Sequence, residues 1–357
     1  MLRKFLCTFV VILIISGNFL FSAEKTNLEL KKYAKERNIF IGCAVMPEYL
    51  NDPAYVKILT NNFNYITPEN NMKWGLIHPT KNGYDFSGAD RIVNFALKNG
   101  MRLRGHTLAW HYQNPPWLNA SNLSKEKAME LLKDHIKNVV GRYKGKVKDW
   151  DVVNEPIDDS GNMRANIWYL TIGKDYIELA LRWVNEIDPE AKLFLNDYNI
   201  EEIGMKSDAF YNLVKKLKES GVPIHGVGFQ FHLNGSYYPD FSSIAKNIKR
   251  FKEIGLEVHF TEIDVRINGK PTEKEINQHK KIYSELIRLA LAYNCEAFIT
   301  WGLSDRHSWI PFFFPGYGYG LMFDENYNPK PAAFAVRDVL MEGKPVPADF
   351  EKTGAGN

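Results

Sequence analysis

Apolar and polar positions follow two rhythms along the chain. Short runs rich in β-branched and aromatic residues fall at 39–45, 65–67, 102–106, 149–154, 192–196, 226–230, 257–261 and 297–300, and runs of that length and composition read as strands. Between them the period lengthens. Phe210, Leu213, Val214 and Leu217 are spaced i, i+3, i+4, i+7, which lays one apolar stripe along a helix. Ala128, Leu131, Leu132, Ile136 and Val139 repeat the stripe behind Ser124, a residue type suited to capping a helix N-terminus. Thr272 followed three residues later by Glu275 predicts a reciprocal cap opening a helix through Ile282, Leu286 and Leu289. Eight strands with helices between them predict parallel βαβ units.

Right-handed crossovers wind such units into a closed barrel or an open sheet. The strand count of eight, and the lack of a Gly-rich phosphate loop after the first strand, favour the barrel. The expected fold class is α/β: a single-domain (β/α)8 TIM barrel over residues 24–343, with a short tail at 344–357. No Pro-, Gly- or Ser-rich linker divides it. A barrel gathers reactive side chains at the C-terminal ends of many strands, and this chain crowds them there. Glu69, Asn70 and Lys73 follow the second strand, and His106, Trp110 and Gln113 the third. Asn154 and Glu155 end the fourth, Gln230 and His232 the sixth, Glu262 and Asp264 the seventh, and Trp301 the eighth.

Composition narrows the class. Of 357 residues, 45% are hydrophobic and 13% aromatic, which excludes a disordered chain. Lys+Arg 45 against Asp+Glu 42, with no basic stripe, gives no reason to expect nucleic acid as a partner. At the start, Arg3 and Lys4 precede an apolar stretch at 5–15, and Ser22 and Ala23 precede Glu24. That is the order of a secretory signal peptide, placed at 1–23; a retained membrane anchor is the alternative, since Phe19, Leu20 and Phe21 lengthen the apolar run. Its removal lowers the formal charge from +3 to +1. The expected product is secreted (extracellular or periplasmic), monomeric and away from the membrane. Cys43 and Cys295 sit in apolar surroundings and are expected as buried free thiols. There is no CxxC or HExxH pair, so neither a metal nor a cofactor is expected.

Two carboxylates carry the chemistry. Glu155 and Glu262 each end an apolar strand, where a charge is costly unless paired, hydrated or used. Strands four and seven lie on opposite sides of an eight-stranded barrel, so the two side chains can face each other across a ligand. One acid and one base or nucleophile flanking an acetal is what glycoside cleavage needs. A salt-bridge role for either Glu is the plainer alternative, and it fits poorly with two such residues in one rim of His and Trp. The faces of Trp301 and Trp309 suit the C–H faces of sugar rings.

These residues together resemble glycoside hydrolase family 10, the retaining endo-β-1,4-xylanases. The likeness runs from about Ile41 to Ala333. It includes Thr67-Pro-Glu-Asn with Met72-Lys-Trp74, Gly105-His-Thr-Leu-Ala-Trp-His111 continuing to Gln113 and Trp117, and Trp150-Asp-Val-Val-Asn-Glu-Pro156. Gln230-Phe-His232, Thr261-Glu-Ile-Asp264 and Trp301-Gly302 follow in family order. The resemblance implies that Glu155 is the general acid/base and Glu262 the nucleophile. Asn154 would bond the sugar 2-hydroxyl, and His232, held by Asp264, would orient Glu262. Glu69, Asn70, Lys73, His106, Trp110, Gln230, Trp301 and Trp309 would line the non-reducing side of a cleft for xylan and xylo-oligosaccharides. Gln113 and Trp309 would crowd the place of a glucose hydroxymethyl group. His307 and the aromatic residues at 312–314 lie in a loop that varies in the family. Rival readings are a related barrel glycosidase acting on cellulose or mannan, and a carbohydrate-binding barrel that no longer cleaves.

Overall fold

The eight predicted runs become eight parallel strands that close into a ring. The structure, a computed structural model, describes residues 28–119, 123–347 and 350. The barrel strands are β1 (Phe40–Val45), β2 (Tyr65–Pro68), β3 (Arg102–Ala109), β4 (Asp149–Asn154), β5 (Lys192–Asp197), β6 (Gly226–Phe229), β8 (Glu257–Asn268) and β9 (Ala297–Thr300), while the short β7 (His232–Asn234) continues β6 beyond Phe231. Each pairs in parallel with the next, and β9 pairs with β1 from Phe40↔Ala297 to Cys43↔Thr300, closing the sheet. The fold is the single-domain (β/α)8 TIM barrel.

The helices arise as the periodicity predicts. Helix Lys125–Tyr143 buries Ala128, Leu132, Ile136 and Val139, with Leu131 half-buried, and Ser124 Oγ accepts from Lys127 N–H at 3.3 Å. Thr272 and Glu275 exchange bonds at the start of helix Glu273–Ala292, Thr272 N–H donating to Glu275 Oε2 at 2.8 Å and Glu275 N–H to Thr272 Oγ1 at 3.3 Å. These reciprocal bonds satisfy two of the donors that a helix start leaves open.

Two strands run more than one residue further than their sequence runs predict. β3 continues to Ala109, which pairs with Val153 past an irregularity in the ladder. β8 continues to Asn268 because β7 pairs along one edge and a two-residue strand, β10 (Tyr317–Gly318), pairs antiparallel along the other. Both extensions lie on the side of the barrel that carries the predicted site.

Charges inside the barrel are paired. The Arg104 guanidinium donates twice to the Asp151 carboxylate, with Nε to Oδ2 at 2.8 Å, and both residues are buried. Burial pushes the Asp151 carboxyl up, but Arg104 and His106 outweigh it and hold it below its ordinary range. Losing one partner of such a pair costs about 3–5 kcal/mol. Cys43 and Cys295 are buried free thiols, and burial pushes Cys295 up to about 12. The predicted signal segment 1–23 lies outside the described residues, as do 348–349 and 351–357 of the tail. No helix among the described residues is long and apolar enough to cross a membrane.

Candidate active site

A cavity of about 540 Å³ opens at the C-terminal ends of the strands. Glu155 and Glu262 both line it, from β4 and β8. The other eleven predicted cleft residues line it too: Glu69, Asn70, Lys73, His106, Trp110, Gln113, Asn154, Gln230, His232, Trp301 and Trp309. Asp264 lies behind this wall.

Glu262 sits in a cradle of donors. His232 Nε2 lies 3.1 Å from Glu262 Oε2, and His232 Nδ1 lies 2.9 Å from Asp264 Oδ2. Asn196 Nδ2 donates to Glu262 Oε1 at 2.7 Å. Burial pushes the Glu262 carboxyl up, yet the His232 bond and the nearby His106 and His232 charges hold it below the ordinary glutamate value. Burial alone would lower His232, but Asp264 and Glu262 raise it to about 10. An imidazolium is thus clamped between two carboxylates, donating from both nitrogens. Trp309 Nε1 also donates to Asp264 Oδ2, at 2.8 Å.

Glu155 follows β4 in a left-handed conformation, φ 54°. Its Oε1 accepts from Asn154 Nδ2 at 3.2 Å and Gln230 Nε2 at 3.3 Å. Asn154 Oδ1 in turn accepts from Asn196 Nδ2 at 2.8 Å. Glu155 and Glu262 are therefore joined through two amide side chains.

On the third flank, Lys73 Nζ donates to Asn70 Oδ1 at 2.9 Å and lies 4.8 Å from the Trp110 ring centre and 5.5 Å from that of Trp301. Burial lowers Lys73, and burial raises Glu69 to about 7 against the pull of Lys73. Gln113 Nε2 donates to Asn70 Oδ1 at 3.3 Å. The wall combines two indole rings with amide, carboxyl and ammonium groups, a surface suited to a polyhydroxylated ring.

Sequence reasoning missed other lining residues: His111, Tyr112, Tyr198, Asn199, Arg266, Phe313 and Phe314. The signal for His111 was present, since it lies between Trp110 and Gln113; Tyr198 and Asn199 directly follow β5, a strand end of the same rim that supplied none of the predicted residues. His111 Nδ1 is 3.5 Å from Glu155 Oε2. Arg266 had no such signal, because it reaches the rim only through the extension of β8. His307 is not among the lining residues; it stacks on Tyr49 with ring centres 4.0 Å apart.

Outside the cleft, Glu257, His259 and Glu296 bring possible metal ligands within reach of one another at the opposite end of the barrel. Lys192 Nζ already bridges the two carboxylates, at 2.5 and 3.2 Å. Arg104, always a donor, faces His259 Nδ1 at 3.2 Å. That leaves the His259 proton on Nε2, with no lone pair for a metal. The cluster fits an ion-pair network and does not fit a metal.

A (β/α)8 barrel with two bridged carboxylates in a cleft of indole and amide side chains defines the class: a glycoside hydrolase. Residues 29–339 match the model of Glycosyl hydrolase family 10, and the chain belongs to that family. It is 45% identical over 326 residues to endo-1,4-beta-xylanase B of Thermotoga neapolitana, covering 88% of this chain and 92% of that protein. It is also 45% identical over 314 residues to a beta-1,4-xylanase of Dictyoglomus thermophilum, covering 83% and 87%. Xylanase 10B of Thermotoga petrophila RKU-1, solved in complex with xylobiose, superimposes with a TM-score of 0.85 at 44% identity over 88% of this chain and 97% of that one.

Proposed function

We propose that the protein is a secreted endo-1,4-β-xylanase that hydrolyses internal bonds of xylan with retention of anomeric configuration. The observation that carries the reading is the bridge Glu155–Asn154–Asn196–Glu262, which sets two carboxyl groups in one cleft. The relatives named as xylanases, and the xylobiose bound to one of them, support xylan as the substrate.

In this reading Glu262, kept ionised by His232, attacks the anomeric carbon of the sugar on the side of Lys73 and Trp301. Glu155 gives its proton to the departing glycosidic oxygen as that C–O bond breaks. The product is a glycosyl ester on Glu262 plus a shortened chain. Esterification removes the negative charge of Glu262. Glu155, now a carboxylate, takes a proton from water, whose oxygen attacks the same carbon and releases Glu262. Two displacements on one carbon restore its configuration. Asn154 holds the 2-hydroxyl, and Gln113 and Trp309 exclude a hydroxymethyl group that xylose lacks.

Digestion of plain xylan, carboxymethylcellulose and mannan, with reducing-end assay and product chromatography, tests this. The expected result is a ladder of xylo-oligosaccharides from xylan alone; equal release from cellulose or mannan favours the rival substrates, and binding without release favours a non-catalytic barrel. N-terminal sequencing of protein from culture medium tests secretion, with a start near Glu24 expected.

A further inference from the structure

The loop leaving β4 folds back on itself. Ile157 and Met163 pair as an isolated antiparallel bridge, and Asp158 Oδ1 ties the tip by accepting from Ser160 N–H and Asn162 N–H, each at 2.9 Å. The fold-back brings Arg164 against three successive carbonyl groups. Its Nε donates to Glu155 O at 2.9 Å, its backbone N–H to Pro156 O at 2.8 Å, and its Nη2 to Ile157 O at 2.8 Å. Nη2 also donates to the Tyr198 hydroxyl at 3.1 Å, and Tyr198 lines the cleft.

Glu155 needs such a clamp. A residue with a side chain in the left-handed region is strained by about 1–3 kcal/mol and persists only where its surroundings over-determine it. Its N–H is fixed by Asn196 O at 2.7 Å. Past Asn154 the barrel strand ends; Pro156 O is taken by the Arg164 N–H within the small bridge, and the carbonyls of Glu155 and Ile157 are met by the Arg164 side chain. A planar guanidinium can meet two carbonyls and a hydroxyl at once; an ammonium presents a single point of charge.

We propose that Arg164 is the positioning residue for the proton donor. By locking the Glu155 carbonyl it fixes the direction of the Glu155 carboxyl, and through Tyr198 it ties that direction to the wall of the cleft. The inference rests on the acid/base role of Glu155 proposed above. It predicts a selective defect. Bond cleavage that needs protonation suffers when Glu155 is misdirected, whereas a leaving group that departs as a stable anion is spared.

The experiment is a series of aryl β-xylobiosides, from dinitrophenyl to phenyl, with wild type, Arg164→Met and Arg164→Lys, reading kcat/KM. Arg164→Met is expected within about 3-fold of wild type on the dinitrophenyl glycoside and down roughly 100-fold on the phenyl one, the size of a lost general acid. Arg164→Lys should lie between, which a loop staple alone would not produce. An equal fall across the series, or no fall, overturns the proposal. Should Arg164→Met fail to fold, the slope of the Arg164→Lys series decides the matter in the same way. If wild type cleaves the aryl glycosides but not xylan, the xylanase reading fails while this comparison still stands.

Discussion

Asn196 Nδ2 lies 2.7 Å from Glu262 Oε1, although their strands, β5 and β8, are not neighbours. β6 runs between them, and its Gly228 pairs in register with Asn196 on one side and His259 on the other. A Cβ at Gly228 would overlap the Asn196 amide. The missing side chain is what lets the amide reach across. Thr261 Oγ1 completes the arrangement by donating to Asn196 Oδ1 at 2.7 Å, which turns the NH2 group toward Glu262 and Asn154.

Gly228→Ala should therefore displace Asn196 and loosen both carboxylates. A fall in kcat/KM of roughly 100-fold is expected, the scale of a small misplacement of reacting groups, with a loss of about 1–3 kcal/mol in stability from overpacking. Gly204→Ala, where nothing lies within 4 Å of an added Cβ, serves as the silent control. Steady-state kinetics and thermal melts of the two variants check this.

Glu262→Ala should abolish turnover with the fold intact. Glu155→Ala should still form the glycosyl ester from an aryl xyloside with a good leaving group, and azide should then intercept it as a β-glycosyl azide. Product analysis by NMR reads the anomer; absence of rescue would reassign Glu155.

His232→Asn should move the acid limb of the kcat/KM profile to higher pH. His232 favours the ionised form of Glu262, which lies below its ordinary value; without that donor and its charge, the carboxyl takes up a proton at a higher pH. A shift of about one unit is expected. An unchanged acid limb would mean that another donor, such as Asn196, dominates.

Gln113 offers a route to altered specificity. Its backbone is left-handed, φ 51°, a conformation glycine adopts without strain. Gln113→Gly should remove part of the wall at little structural cost and raise the ratio of aryl cellobioside to aryl xylobioside kcat/KM by about 10-fold, the low end of what one excluded group is worth. No change in that ratio would leave Trp309 as the wall.

The hydrophobic rhythm made the barrel legible because the eight strands of the ring are mostly buried on both faces, while the helices between them bury one. The run at 149–154 and the run at 297–300 coincide with β4 and β9. The reciprocal cap at Thr272 was equally readable, being a matter of four consecutive residues. What escaped is long-range. The end of β8 depends on Tyr317 and Gly318, some fifty residues later in the chain, and no local pattern announces that pairing. The break between β6 and β7 falls at Phe231, whose φ of 57° is supported by a bond from its N–H to Glu201 Oε1 at 2.8 Å. Arg164 works through backbone carbonyls, which have no signature in sequence, so a search for reactive side chains passes over it.

Trp74, His78, His135 and Tyr84 form an aromatic stack with a pH dependence of its own. His135 is buried against Trp74, ring centres 3.7 Å apart, and neither ring nitrogen has a hydrogen-bond partner among the described residues. Burial drives its pKa well below the ordinary value. The folded state thus stays neutral while the unfolded chain takes up a proton below about pH 6.5. Stability is lost as pH falls through that value, by up to about 1.4 kcal/mol per unit. His135→Phe should keep the stack and shrink the drop in melting temperature between pH 7.5 and pH 5, as read by calorimetry. An undiminished drop would assign the acid sensitivity elsewhere, His279 being next in line.

The seam between β9 and β1 joins residues more than two hundred and fifty positions apart. During synthesis, a chain that has not yet delivered Ala297–Thr300 presents β1 and β8 as two open edges, each a template for pairing with another molecule. The last strand of the ring is thus also the stopper: only when it slots in does the growing polypeptide lose its capacity to stick to its siblings.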